Sequence, residues 1–169
     1  ERDEGWSLDT DDSGNVYITG WFEGTVDFDP SASSYYLNSN GDFDIFVQKL
    51  DHQGNFVWAK SFGGRDVENG LAISVDTVGD IYVTGGFRDT VVFDASQSNG
   101  TLISYDQSDV YLLKLSPAGK VKWVKMLGGI GNDIGEKIVT IGSDNVYVAG
   151  GFEGILYLNP PLQYNYLST

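Results

Sequence analysis

The stretch Ile81-Tyr82-Val83-Thr84-Gly85-Gly86-Phe87 decides the reading of this chain, because near copies stand at equal distances on both sides of it. They are Val16-Tyr17-Ile18-Thr19-Gly20-Trp21-Phe22 and Val146-Tyr147-Val148-Ala149-Gly150-Gly151-Phe152. Tyr17, Tyr82 and Tyr147 are 65 residues apart (82−17 and 147−82), and Gly5, Gly70 and Gly135 keep the same step. Laid over one another without gaps, residues 5–64 and 70–129 agree at 23 of 60 positions. A fixed period of this kind says that one supersecondary unit is stacked on copies of itself. In the quoted stretch β-branched residues alternate with tyrosine and threonine, which suits a strand. The glycines at its end predict a bulge or a close approach to a neighbouring unit.

Outward from that strand, residues 5–11, 70–76 and 135–141 read as the first strand of each unit. Their apolar and small side chains on both faces predict burial on two sides. Tight connections follow at Asp11-Asp12-Ser13-Gly14-Asn15 and Asp76-Thr77-Val78-Gly79-Asp80, where Asp, Asn and Gly supply acceptors and left-handed backbone conformations. Residues 25–30, 90–95 and 155–160 then open a hairpin whose tip varies between copies, as a surface loop carrying specificity would. The unit closes with residues 44–50 or 109–115, a turn, and the strands that carry Trp58 and Trp123. These tryptophans are expected to pack between units. The glycine pairs after them, Gly63-Gly64 and Gly128-Gly129, read as turn glycines. Each complete unit is a four-stranded blade with an inserted hairpin, or about six short strands.

Composition agrees with an all-β chain. Twenty-two glycines stand against four prolines, hydrophobic residues make up 41%, and no run of helix formers occurs. The net charge of −14 repels a phosphate backbone, so nucleic acid is not an expected partner. The absence of cysteine excludes disulfides and thiolate metal sites. No stretch approaches the roughly 20 apolar residues of a membrane-spanning helix, so no membrane span is expected.

Four signals follow one another in the first two copies: G-x-x-(I/L)-x-x-D-x-x-G-(N/D)-(V/I)-Y-(V/I)-T-G-x-F, T-V-x-F-D, D-(I/V)-(F/Y)-(V/L)-x-K-L and W-x-K-x-(F/L)-G-G. Together they resemble the bacterial β-propeller repeat family called SBBP repeats, found in large secreted and surface proteins. The resemblance covers essentially the whole chain. It implies one repeat domain over 1–169, with tandem 65-residue units at 1–64, 65–129 and 130–169 forming β-propeller-like blades, and a secreted, extracellular or cell-surface location in a bacterium. The first unit is partial at its start. The third departs from the pattern, with Ile141 in the place of Asp11 and Asp76 and with Ala149 for threonine, and it lacks the counterparts of residues 42–64. Propellers generally have four or more blades, so the expected form is a partial or open propeller, or a solenoid array.

For chemistry, Asp9, Asp11 and Asp12 ahead of Gly14 and Asn15 place oxygens at alternating positions, as in a calcium loop. The span is too short for an EF-hand, and a plain hairpin turn is the competing reading, so calcium is a candidate and no other cofactor is expected. Asp27, Asp29, Asp42 and Asp44 could also face a cation, though charges guarding an edge strand explain them as well. The one histidine, His52, sits in a turn, and no serine lies in a G-x-S-x-G elbow, so no catalytic residue is assigned. Trp21, Tyr35, Tyr36, Tyr164 and Tyr166 fall where the copies diverge, and exposed aromatics stack on sugars or anchor protein interfaces.

The expected function is a non-enzymatic surface scaffold for adhesion, protein interaction or assembly. Its partners are other proteins, a glycan, or copies of itself joined through open strand edges. The alternative is a propeller lyase or hydrolase acting on polysaccharide.

Overall fold

The computed structural model describes residues 2–143, 145–157 and 166–168. No helix occurs among them, and none is therefore long and apolar enough to cross a membrane. The first sheet is a meander of four antiparallel strands in the order β1 (Glu4–Thr10), β2 (Val16–Phe22), β5 (Asp44–Leu50) and β6 (Phe56–Phe62). The short hairpin β3 (Thr25–Asp27) and β4 (Tyr36–Asn38) is inserted between its second and third strands.

The second sheet has the same core order: β7 (Glu68–Val75), β8 (Ile81–Val92), β9 (Thr101–Leu115) and β10 (Val121–Ile130). Here the inserted hairpin is continuous with the blade, since Thr90–Val92 pairs with Thr101–Ile103 beyond a bulge at Arg88/Thr90. The chain turns at that bulge through Asp89, at φ 57°, a place filled in the flanking copies by Gly24 (φ 76°) and Gly154 (φ 74°). Aspartate tolerates the left-handed region better than most residues.

Then come β11 (Ile134–Ile141) and β12 (Asn145–Gly151), a two-stranded hairpin, and β13 (Ile155–Tyr157) with β14 (Tyr166–Ser168). This last hairpin does not stay with β12. β13 pairs with the end of β10, Gly128 opposite Tyr157, and so extends the second sheet to six strands. The bridge between Gly63 and Val92 makes the same connection one sheet earlier.

Four turns share one construction. At 11–15, 51–55, 76–80 and 116–120 the N–H of the first residue donates to the carbonyl of the fifth, and the N–H of the fourth, a glycine with φ between 73° and 83°, donates to the carbonyl of the first. In the three that begin with aspartate, the carboxylate also takes the N–H groups of the third and fifth residues. A side chain that mimics a backbone turn explains why the D-x-x-G-(N/D) spelling recurs.

The main core lies between the first two sheets, with Tyr17, Ile45, Val47 and Phe62 against Ile73, Val83, Phe93 and Tyr111. A smaller one joins the second sheet to the third hairpin through Ala72, Tyr82 and Ile138, with Trp123 at its margin. First-strand burial on both faces holds for β7, which has neighbours on both sides. It fails for β1, where Trp6 and Leu8 are exposed, and in part for β11, where Val139 and Ile141 are exposed. Sheets packed side by side on their first strands make a propeller-like all-β arrangement, which does not close among the described residues.

Candidate functional site

Adjacent sheets are joined by buried carboxyl groups that meet across the junction. Asp44 opens β5 and Glu68 opens β7, and both are fully buried. The Asn40 N–H and Nδ2 donate to Asp44 at 3.1 and 3.0 Å, and the Gly64 N–H donates to Glu68 Oε2 at 2.6 Å. Glu68 Oε1 has no hydrogen-bond partner. Asp109 and Asp133 repeat the arrangement at the next junction, also fully buried. Tyr105 N–H donates to Asp109 at 2.7 Å, and Gly129 N–H bridges the two carboxyls at 3.0 and 2.9 Å. A short parallel bridge flanks each pair, with Glu68 N–H on Phe43 O at 2.8 Å and Asp133 N–H on Ser108 O at 2.6 Å.

Burial without a cationic partner disfavours the charged forms, and a second carboxyl adds repulsion. Glu68 is pushed up to about 7, by burial first and then by Asp44 and Asp66, with the Gly64 and Arg88 amides opposing. Asp109 is pushed up to about 6 by burial first, with Asp133 adding to the effect. Asp44 and Asp133 are also raised, burial again being the largest cause. Asp109 in its acid form hydrogen-bonds Asp133, so the pair shares a proton.

The glycine pairs are explained by these acids, not by turns. Gly63 and Gly128 sit at the ends of sheet strands without positive φ. A Cβ on Gly63 would lie 2.1 Å from the Asp44 carboxyl carbon, and one on Gly128 would lie 2.0 Å from Asp109 Oδ1. The second glycine of each pair supplies the N–H to the acid. Gly70 and Gly135 make the close approach between sheets, since a Cβ there would meet Thr19 Oγ1 at 2.2 Å and Thr84 Oγ1 at 2.3 Å. Gly20, Gly85 and Gly150 approach the first strand of their own sheet, where a Cβ on each would lie 1.9 Å from a carbonyl oxygen opposite the bulge.

Further polar contacts cross the same junctions. Asp9 Oδ2 accepts the Val75 N–H at 2.8 Å, and Ser74 Oγ accepts the Thr140 N–H at 3.2 Å. Trp58 Nε1 donates to Pro117 O at 3.2 Å and its ring lies against Gly119, so this tryptophan does pack on the next sheet. Trp123 meets Tyr82 edge-on at 6.1 Å beside Ile138.

Asp11 is committed to the turn: its carboxylate accepts from Ser13, from Asn15 twice, and from the Tyr17 hydroxyl at 3.0 Å. Burial raises its pKa, but these hydrogen bonds outweigh burial and leave it low. Asp9 faces β7 as described and also takes the Thr10 N–H, while Asp12 is exposed. The three calcium candidates therefore do not converge, and no group of three His, Asp or Glu side chains suited to a metal occurs among the described residues. In the second sheet Asp76 takes the Tyr82 hydroxyl at 3.2 Å, and Asp80 pairs with Lys114 at 2.9 Å and Lys122 at 2.6 Å. Lys114 also lies over the Tyr82 ring at 4.6 Å. Burial would raise Asp80, but the two lysines lower it.

Of the aromatic candidates, Trp21 packs edge-on against Phe43 at 4.5 Å with Arg2 over its ring, so it is part of a small cluster. Tyr35 leans on Phe56 at 4.8 Å, and Tyr36 projects from the inserted hairpin, 62% exposed. Tyr166 lies in β14, opposite Tyr157, and Tyr164 lies outside the described residues. A shallow groove of about 260 Å3 beside that hairpin is lined by Asp3, Glu4, Asp27, Phe28, Pro30 and Gln48. Sequence reasoning missed the buried acids, taking Asp44 for an edge charge. The signal was present in the 65-residue step that links Asp44 to Asp109, and in the acid four residues after each glycine pair, Glu68 and Asp133.

No family model matches the chain. It is 24% identical over 175 aligned residues to an uncharacterized WD repeat-containing protein, L264, of Acanthamoeba polyphaga mimivirus, an alignment covering 89% of this chain and 12% of that protein. It is 25% identical over 138 residues to the regulatory protein FlaEY of Caulobacter vibrioides, covering 82% of this chain and 14% of that one. The chain thus spans about an eighth of the length of these relatives. The WD repeat relative accords with the propeller-like fold.

Proposed function

We propose that the chain is a run of tandem 65-residue propeller-like units, of the kind the SBBP resemblance implies, acting as a non-enzymatic scaffold. Its place is outside the cell or on a bacterial surface, where it serves adhesion, protein interaction or assembly of a larger structure. The supporting observation is where the polar chemistry goes. Polar side chains at matching places in the first two copies face the adjacent sheet, as Asp9 and Ser74 do with the backbone N–H groups of Val75 and Thr140, each 66 residues on. The copies differ at exposed positions of the inserted hairpins, such as Tyr36, Ile103 and Tyr105. Conserved inner fittings with variable outer tips suit a frame that presents surfaces to partners, and the name of the WD repeat relative fits a repeat protein of that sort.

Incubation with a panel of acidic and neutral polysaccharides separates this reading from the lyase or hydrolase alternative. The scaffold reading expects no new reducing ends and no unsaturated products. Turnover that is lost on substituting residues of the groove beside Asp27 would replace it with the enzyme.

A further inference from the structure

We propose that the joint between the first two sheets is a proton-closed hinge: the sheets stay fastened at their turn ends and part at the opposite end when Glu68 and Asp44 are charged together. The hinge belongs to the fold and holds for a scaffold and an enzyme alike.

The two ends of this joint are fastened by different means. At the turn end the Val75 N–H donates to Asp9 Oδ2 at 2.8 Å, and Trp58 Nε1 donates to Pro117 O at 3.2 Å. These are hydrogen bonds from neutral donors. At the other end Asp44 opens β5 and Glu68 opens β7, both fully buried, and the Gly63–Val92 and Phe43–Val67 bridges lie beside them.

The groups around Glu68 hold its neutral form. β5 presents Asp44, and the link from β6 presents the Gly64 N–H and Asp66, with Arg65 exposed. β8 offers the Arg88 N–H from an exposed residue, and β9 offers Tyr111, whose hydroxyl donates to Asn69 O at 3.1 Å. Alongside, β1 carries Glu4, engaged by Arg2 at 3.0 Å, β2 carries no charged residue, and Glu136 and Lys137 of β11 are exposed. Among the described residues no ion pair reaches Glu68 or Asp44. Glu68 Oε1 has no hydrogen-bond partner, so ionisation finds no donor waiting for it. Two neighbouring carboxylates in a dry interior repel one another, and water must enter to solvate them.

Burial first, then Asp44 and Asp66, push Glu68 up to about 7. Closure is therefore complete below 4.5 and is lost as pH rises through 7. Parting at this end frees the hairpin at Val92 from Gly63 and uncovers the ring cluster of Phe62, Phe93 and Tyr111, with centroids 5.7 and 5.2 Å apart. The open form thus presents an apolar surface that the closed form hides.

Amide hydrogen exchange of the whole chain at pH 6 and pH 8, corrected for intrinsic rates, tests the hinge. Protection of the Asn40, Gly64 and Glu68 amides should fall about tenfold between the two, the factor that linkage gives for a group moved from 4.5 to about 7. Protection of the Val75 amide should not change. Glu68→Gln should remove the fall at all three amides, and Asp44→Asn should reduce it; the contrast between the two ends in the native chain decides the matter even if neither variant folds. Equal loss at Val75 would mean unfolding of the whole chain and overturns the hinge. So does unchanged protection at Gly64 and Glu68, or the same tenfold fall in a folded Glu68→Gln.

Discussion

Replacing Glu68 by glutamine keeps an acceptor for the Gly64 N–H and gives Asp44 a neutral neighbour, so it isolates the cost of charge at the first junction. Glu68 has a folded-state pKa of about 7 against an ordinary value of 4.5. The stability it contributes is therefore complete below pH 4.5 and is lost as pH rises through 7. The gap corresponds to about 3 kcal/mol. Urea unfolding at a series of pH values from 4.5 to 8 measures it. The native chain should lose about 3 kcal/mol over that range from this junction. Glu68→Gln should lose distinctly less, retaining the contribution of Asp109, whose window runs from 3.8 to about 6. At pH 8 the variant should be the more stable of the two. Equal pH slopes in the two proteins, or native stability that rises across this range, would refute the reasoning.

Other outcomes follow from the same contacts. Gly63→Ala should destabilise by about 3 kcal/mol or more, since its Cβ would overlap the Asp44 carboxyl, whereas Gly54→Ala, with open space but positive φ, should cost only about 1 kcal/mol; thermal melts of the two variants compare them. Trp58→Ala should cost about 3 kcal/mol by loss of its packing on Gly119 and of the bond to Pro117, read by denaturant titration. Asp11→Ala should lower the melting temperature equally with calcium and with chelator, because the carboxylate is engaged by its own turn; a loss seen only with calcium would restore the metal reading. Asp11, Asp51, Asp80 and Asp94 have lowered pKa values, so the stability they contribute is lost as pH falls below the ordinary aspartate value of 3.8. With Glu68 and Asp109 acting on the alkaline side, maximal stability should fall at roughly pH 4 to 5 in a pH series of melts.

Strand positions and turns were legible because their causes are local. Alternating β-branched residues set β2, β8 and β12, and the D-x-x-G-(N/D) spelling sets the turns by a side chain bonding to its own backbone. The junctions were not legible in that way. Asp44 and Asp109 precede apolar runs and look like ordinary strand-end charges in a chain with 24 acidic residues. Their burial is fixed by a partner about 24 residues later and by the missing Cβ of a glycine about 19 residues later, which are tertiary facts. For the same reason Gly63 and Gly128 read as turn glycines, although what they supply is space. Tyr17 and Tyr147 occupy equal places in the pattern, yet one is buried and the other exposed. Burial there is decided by whether another sheet follows.

The central claim is that adjacent sheets meet through buried acids with raised pKa values, Glu68 beside Asp44 at one junction and Asp109 beside Asp133 at the next. Carboxyl carbon-13 NMR of the selectively labelled chain, titrated from pH 3 to 9, tests it most directly. The account predicts that Glu68 titrates near 7 and Asp109 near 6, with each titration felt by its partner, Asp44 or Asp133. Midpoints for both residues near the ordinary carboxylate values, 4.5 and 3.8, would contradict it.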